Sequence, residues 1–115
     1  MMARKAKPLA QPFEGKWRIT SMELWDRAAI NLVGPGYIEF KGAEGVMAFI
    51  VVEAWLDVRY GERDGKPIAE FSWEGTDEGD PRSGRGWATI SNAGTLEGRV
   101  FFHQGDDSGF TCSPW

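Results

Sequence analysis

His103 is the single histidine of the chain and stands just ahead of Gly105-Asp106-Asp107-Ser108. A histidine within reach of a carboxylate and a hydroxyl is how general-base and nucleophilic sites are assembled. Against that chemistry, His103 falls on the parity opposite Leu96, Val100 and Phe102, so a strand there turns it outward. Asp106 and Asp107 are also typical turn residues. The expectation is a hairpin turn beside a surface histidine, and no catalytic residue is assigned.

Three other features invite chemistry. Glu74-Gly75-Thr76-Asp77-Glu78-Gly79-Asp80 carries four carboxylates in seven residues, the hard oxygen ligands that divalent cations take. Their spacing does not fit a calcium-binding loop, and a solvated acidic loop, or an acidic docking surface for a basic partner, is expected instead. Gly84-Arg85-Gly86 lacks the Lys-Ser/Thr and the helix start of a phosphate loop. In a strand, Gly84, Gly86 and Ala88 instead leave inner-face room for a large side chain or a ligand. That places Arg85 and Trp87 together on the other face, where a guanidinium can lie over an indole. The six tryptophans, at 17, 25, 55, 73, 87 and 115, exceed what a core of this size needs and suggest an aromatic-lined pocket or an interaction face as well as packing.

The elements that position these residues read as sequential antiparallel strands. Turn signals at Gly34-Pro35-Gly36, Gly42 to Gly45, Arg63-Asp64-Gly65, Glu74 to Gly84, Asn92-Ala93-Gly94 and Gly105-Asp106-Asp107 separate runs rich in Val, Ile, Phe, Trp and Thr. Val46, Ala48, Ile50, Val52, Ala54, Leu56, Val58 and Tyr60 share one parity and Glu53, Asp57 and Arg59 the other, so the even face is expected inside. On that reading Phe49 and Trp55 are exposed aromatics that mark an interface. The apolar face of the first strand switches from Trp17 and Ile19 to Met22 and Leu24, which calls for a bulge near Thr20-Ser21. Gly45 to Tyr60 is too long for one strand and is broken near Glu53-Ala54. A short helix fits Asp26 to Val33. Strands are expected near 15–24, 37–41, 45–52, 54–61, 66–73, 84–90, 95–103 and 108–112. The fold class is all-β: a single small up-and-down antiparallel barrel of about eight strands, with a two-sheet sandwich as the alternative.

Composition bounds the function. The 115 residues suit one domain, read as a disordered basic tail over 1–12 and a barrel over 13–115. The tail holds Arg4, Lys5 and Lys7 without an acid, which leaves the rest of the chain at −7 within a net charge of −4. An acidic body argues against nucleic-acid or membrane-surface binding. One Cys and one His exclude a disulfide framework and a Cys/His metal site, so neither metal nor cofactor is expected. No leader-like apolar run follows the basic start, and with unpaired Cys112 this gives a cytoplasmic expectation.

Phe13-Glu14-Gly15-Lys16-Trp17 places a Gly-x-Trp at the opening of the first strand. That motif resembles the start of lipocalins and fatty-acid-binding proteins, the calycin group of ligand-binding barrels. The resemblance implies a lipocalin-like barrel whose floor is closed by Trp17 under a basic side chain near the last strand, although nothing basic follows Arg99 here. Gly84-Arg85-Gly86-Trp87-Ala88 and Gly105-Asp106-Asp107-Ser108 also resemble short bacterial proteins. The leading functional expectation is a small apolar or aromatic ligand bound inside the barrel or at its mouth, contacted by Trp17, Phe71, Trp73, Arg85, Trp87 and His103. The alternative is a protein-interaction module with an aromatic and acidic surface, including a homodimer. An enzyme rests on His103, Asp106, Asp107 and Ser108 alone, and is the least favoured of the three.

Overall fold

The computed structural model describes residues 7–115, with the backbone alone for Lys7 and Pro8. Arg4 and Lys5 of the expected basic tail lie outside the described residues. Eight strands follow one another as an antiparallel meander: β1 (Gly15–Met22), β2 (Tyr37–Lys41), β3 (Glu44–Phe49), β4 (Val52–Arg63), β5 (Lys66–Asp77), β6 (Asp80–Ile90), β7 (Leu96–Phe102) and β8 (Asp107–Pro114). Strand β8 pairs back onto β1, which closes the sheet and leaves no free edge. This is the eight-stranded barrel that the alternation predicts, and closure decides against the sandwich.

Helix α1 (Lys7–Ala10) and the 3-10 turn Gln11–Phe13 cap one end, with α1 against β4 and β5. The described helical structure begins at Lys7. Phe13 is fully buried against Phe40 and Tyr60, and its carbonyl accepts the Trp17 indole N–H at 2.9 Å. Trp17 is buried beside this cap, and the group bonded to its indole is the Phe13 carbonyl. Helix α2 (Arg27–Ile30) sits at the other end, within the expected 26–33 segment. Its N-cap is Asp26, whose carboxylate accepts from the Ala29 amide, and Ile30 seals into the core. No described helix is long and apolar enough to cross a membrane.

The β1 bulge falls where the parity switch requires it, between Ile19 and Ser21 in the pairing with β8. Two expectations fail. The β3–β4 break is at Ile50-Val51, with Phe49 paired to Val52, and not at Glu53-Ala54. A two-residue turn reverses the inward parity, so Gly45, Met47 and Phe49 face inside on β3 while Val52, Ala54, Leu56 and Val58 do so on β4. Phe49 is accordingly buried, at 2% exposure, and not an interface aromatic. The turn is hidden in the sequence because it contains neither Gly nor Asn. Ile50 takes φ 56°, unfavourable for a β-branched residue, and is held there by the hydrogen bond its N–H donates to the Ile30 carbonyl and by packing on the core. The second failure is the expected acidic loop over 74–84. Pairing continues through Glu74↔Ser83 to Asp77↔Asp80, and only Glu78-Gly79, at φ 57° and 86°, form the turn.

The interior is organised by glycines paired with large rings. Phe71 lies on Gly86, Trp73 on Gly84 and Phe110 on Gly98, each pair being cross-strand neighbours. A methyl at position 84 would collide with the Phe101 carbonyl oxygen and the Trp73 indole nitrogen, and one at 86 with the Phe71 ring. The space that the small residues open is filled by the chain's own side chains. Gly84→Ala and Gly86→Ala should each destabilise the fold by about 2 kcal/mol or more, whereas Gly61→Ala, with open space around its added methyl, should shift stability by less than about 0.5 kcal/mol. Urea denaturation midpoints read the contrast directly.

Candidate functional site

The six residues expected to contact a ligand do not converge. Trp17 is buried beside the Phe13 cap, while Phe71 and Trp73 are buried inside the barrel. Arg85 and Trp87 face outward from β6, as their parity predicts. The Arg85 guanidinium stacks 4.7 Å over Phe101, its cross-strand neighbour, and not over an indole. His103 is exposed in the β7–β8 turn. Above Trp73, the mouth is closed by Phe49, Phe102 and Trp25, with Trp73 and Phe102 at 5.2 Å and Trp25 and Phe49 at 5.7 Å between ring centroids. Trp25 comes from the connection after β1 and is only half-buried.

His103, Asp107 and Ser108, which stand close in sequence, are given separate surroundings by the β7–β8 turn and the start of β8. Ser108 is fully buried; its hydroxyl accepts from the Leu24 amide and donates to the Gly109 carbonyl. Asp107 pairs with Arg99, which also holds Glu23 at 2.8 Å. Glu23 further accepts from the Gly109 amide at 3.3 Å, and that bond, with Arg99, pulls its carboxyl below the usual range. These groups fasten the chain leaving β1 to β8. Among the described residues, no group of three or more His, Cys, Asp or Glu side chains is placed to hold a metal ion.

The outer sheet presents a different constellation. Trp55 points outward from β4 and is 57% exposed, as its alternation with Ala54 and Leu56 requires. Its cross-strand neighbours are Val46 on β3 and Glu74 on β5, about 4.8 Å away on either side. Glu53 and Asp57 flank it on its own strand, Glu39 lies beyond Val46, and Glu44 pairs across to Asp57. Two grooves of about 500 and 550 Å³ meet at the indole, one running toward Glu39 and Glu44, the other toward Glu74 and Pro81. Asp57 is paired with Arg59, and Lys41 and Arg82 are among the residues that line the grooves. Among the described residues, Glu39, Glu44, Glu53 and Glu74 have no ion-pair partner. The acidic stretch read as a loop thus contributes Glu74 to a structured, strand-borne face.

A second outer cluster went unrecognised in the sequence. The Lys16 ammonium lies 4.4 Å over the Tyr37 ring and 4.1 Å over Trp115, and the Arg18 guanidinium lies 4.2 Å over Trp115. Pairing of β1 with β8 brings these groups together, and the Trp115 amide donates to the Lys16 carbonyl at 3.0 Å. The only sequence signal was an uncompensated pair of cations on the outward parity of β1.

Two neutral groups inside the fold carry a pH signature. Burial pushes the Cys112 thiol from its ordinary value near 9.0 up to about 12. Burial, helped by the Glu14 charge, pushes the Tyr60 phenol from 10.0 to about 12. Below about pH 8 both are protonated in the folded and unfolded chain and add no pH dependence. Above it the unfolded chain releases protons that the folded chain keeps, first from the thiol and then from the phenol, so stability should fall as pH rises from about 8 toward 12. Cys112→Ala should flatten the lower part of that decline, measured as urea midpoints against pH. The wild-type thiol should also resist iodoacetamide near neutral pH until the chain is unfolded.

No protein-family profile, curated protein or solved structure matches this chain.

Proposed function

We propose that this barrel is a protein-interaction module whose working surface is the acidic outer face of β3, β4 and β5, centred on Trp55, and whose partner surface is basic. The observation that carries this reading is the exposed indole set among carboxylates that lack ion-pair partners. A tryptophan in that position supplies a large, rigid contact and a π-face for a guanidinium or ammonium. The surrounding carboxylates attract cations and disfavour acidic competitors. The filled interior supports the same direction, because the inner glycines that would otherwise make room for a ligand are covered by Phe71, Trp73 and Phe110.

A second reading keeps the calycin-like ligand barrel, with a small apolar molecule at the mouth. It is favoured by Trp25, a half-buried ring on a connection that would have to lift from Phe49 and Phe102 to admit a molecule onto Trp73.

The first reading is tested with a fluorescein-labelled oligo-arginine peptide followed by anisotropy at low salt. Trp55→Ala, which changes no charge, should weaken binding about tenfold, roughly 1.4 kcal/mol, while Trp87→Ala on the neighbouring outer face should leave it unchanged. Equal affinity for Trp55→Ala and wild type would reduce the face to diffuse charge and sink the reading.

A further inference from the structure

We infer that the basic partner of the Trp55 face is a second copy of this chain, docking through its Lys16–Arg18–Trp115 cluster in a head-to-tail contact. The inference rests on the reading of the Trp55 face given above. It is carried by an independent observation, the state of the two cations.

Lys16 stands directly across from Glu39 in the β1–β2 register, yet its ammonium is not paired with that carboxylate and lies over Tyr37 and Trp115. Arg18 stacks on the same indole. Among the described residues neither cation has an ion-pair partner. Both are held by aromatic rings, so a partner carboxylate meets charges whose side-chain freedom is already reduced. Trp115 remains 53% exposed, which leaves an apolar surface between them. The Trp55 face is the chemical complement: unpaired carboxylates around an exposed aromatic ring, ready for cations that carry an aromatic ring of their own.

Register also fixes how the two patches are disposed. Lys16, Glu39, Val46 and Trp55 are successive members of one cross-strand row. Their centres are therefore three strands apart, roughly 135° around an eight-stranded barrel. Trp55 and Trp115 therefore cannot meet within one chain, although Glu39 borders both patches, and their different directions suit separate neighbours. Such a contact is heterologous, and each copy offers one live surface of each kind to different neighbours.

Sedimentation velocity on the full chain at low salt tests this. The wild type should associate progressively over a concentration range of about a hundredfold and return to monomer at high salt. Two double variants, Lys16→Glu with Arg18→Glu and Trp55→Ala with Glu74→Lys, should each be monomeric, with near-ultraviolet circular dichroism confirming their folds. Mixed in equal amounts, they should form a species of twice the monomer mass that grows no further, because only one competent pair of faces exists. A wild type that stays monomeric overturns the inference, as does a mixture that fails to pair although the wild type associates. If oligo-arginine binding still depends on Trp55 in either case, the reading of the acidic face stands and only the identity of its partner falls.

Discussion

The structure depends on aromatic rings packed against glycines inside a closed sheet. Phe71 on Gly86 and Trp73 on Gly84 pack β5 against β6, and Phe110 on Gly98 packs β8 against β7, on the inner face of the barrel. A small barrel can fill its interior only if large residues on one strand face small ones on the next. The glycines also let the backbones approach. At Gly84 the Trp73 indole N–H reaches over the strand to the Phe101 carbonyl at 3.2 Å, so the buried ring is satisfied as well as packed. Replacing any of these glycines removes space that a ring already occupies.

Once the interior is committed in this way, the ends must be closed with similar care. At one end the 3-10 turn delivers Phe13 onto Phe40 and Tyr60. At the other, α2 delivers Ile30, and Trp25, Phe49 and Phe102 stack above Trp73. Much of the aromatic content is thereby spent on the core and its two plugs. Trp55 and Trp115 are left over: both are more than half exposed, one among carboxylates and one between two cations. The charge pattern follows the same division. Ion pairs such as Arg99 with Glu23 and Asp107 fasten the framework, whereas the charges around the two exposed indoles are mostly unpaired.

Much of the architecture was legible because the half-buried strands alternate cleanly. Glu53, Trp55 and Asp57 against Ala54 and Leu56 give the orientation of β4, and the opposite parities of Trp17 and Met22 reveal the β1 bulge. The Ile50-Val51 turn was not legible, since its conformation is imposed by tertiary bonds and packing in place of a turn residue. One misplaced turn was enough to put Phe49 on the wrong side. The ends of β5 and β6 were hidden for another reason. Glycine and polar residues occupy both faces from Glu74 to Gly84, so hydrophobic alternation vanishes while the hydrogen-bonded ladder continues. As for the sites, Trp55 could be read from local parity. The cluster of Lys16, Arg18 and Trp115 could not, because it exists only through pairing of the first strand with the last.

The central claim is that this barrel is filled and works through its outer surface. The most direct measurement is a titration of the native protein with an apolar fluorescent probe such as 1-anilinonaphthalene-8-sulfonate, in parallel with NMR shift mapping by oligo-arginine. The account predicts no saturable uptake of the apolar probe, and peptide-induced shifts at the Trp55 indole and the outward residues of β3 to β5. Saturable one-to-one uptake of the probe, with shifts at Trp25, Trp73 and Phe102 in place of Trp55, would contradict it and return the function to the mouth of the barrel.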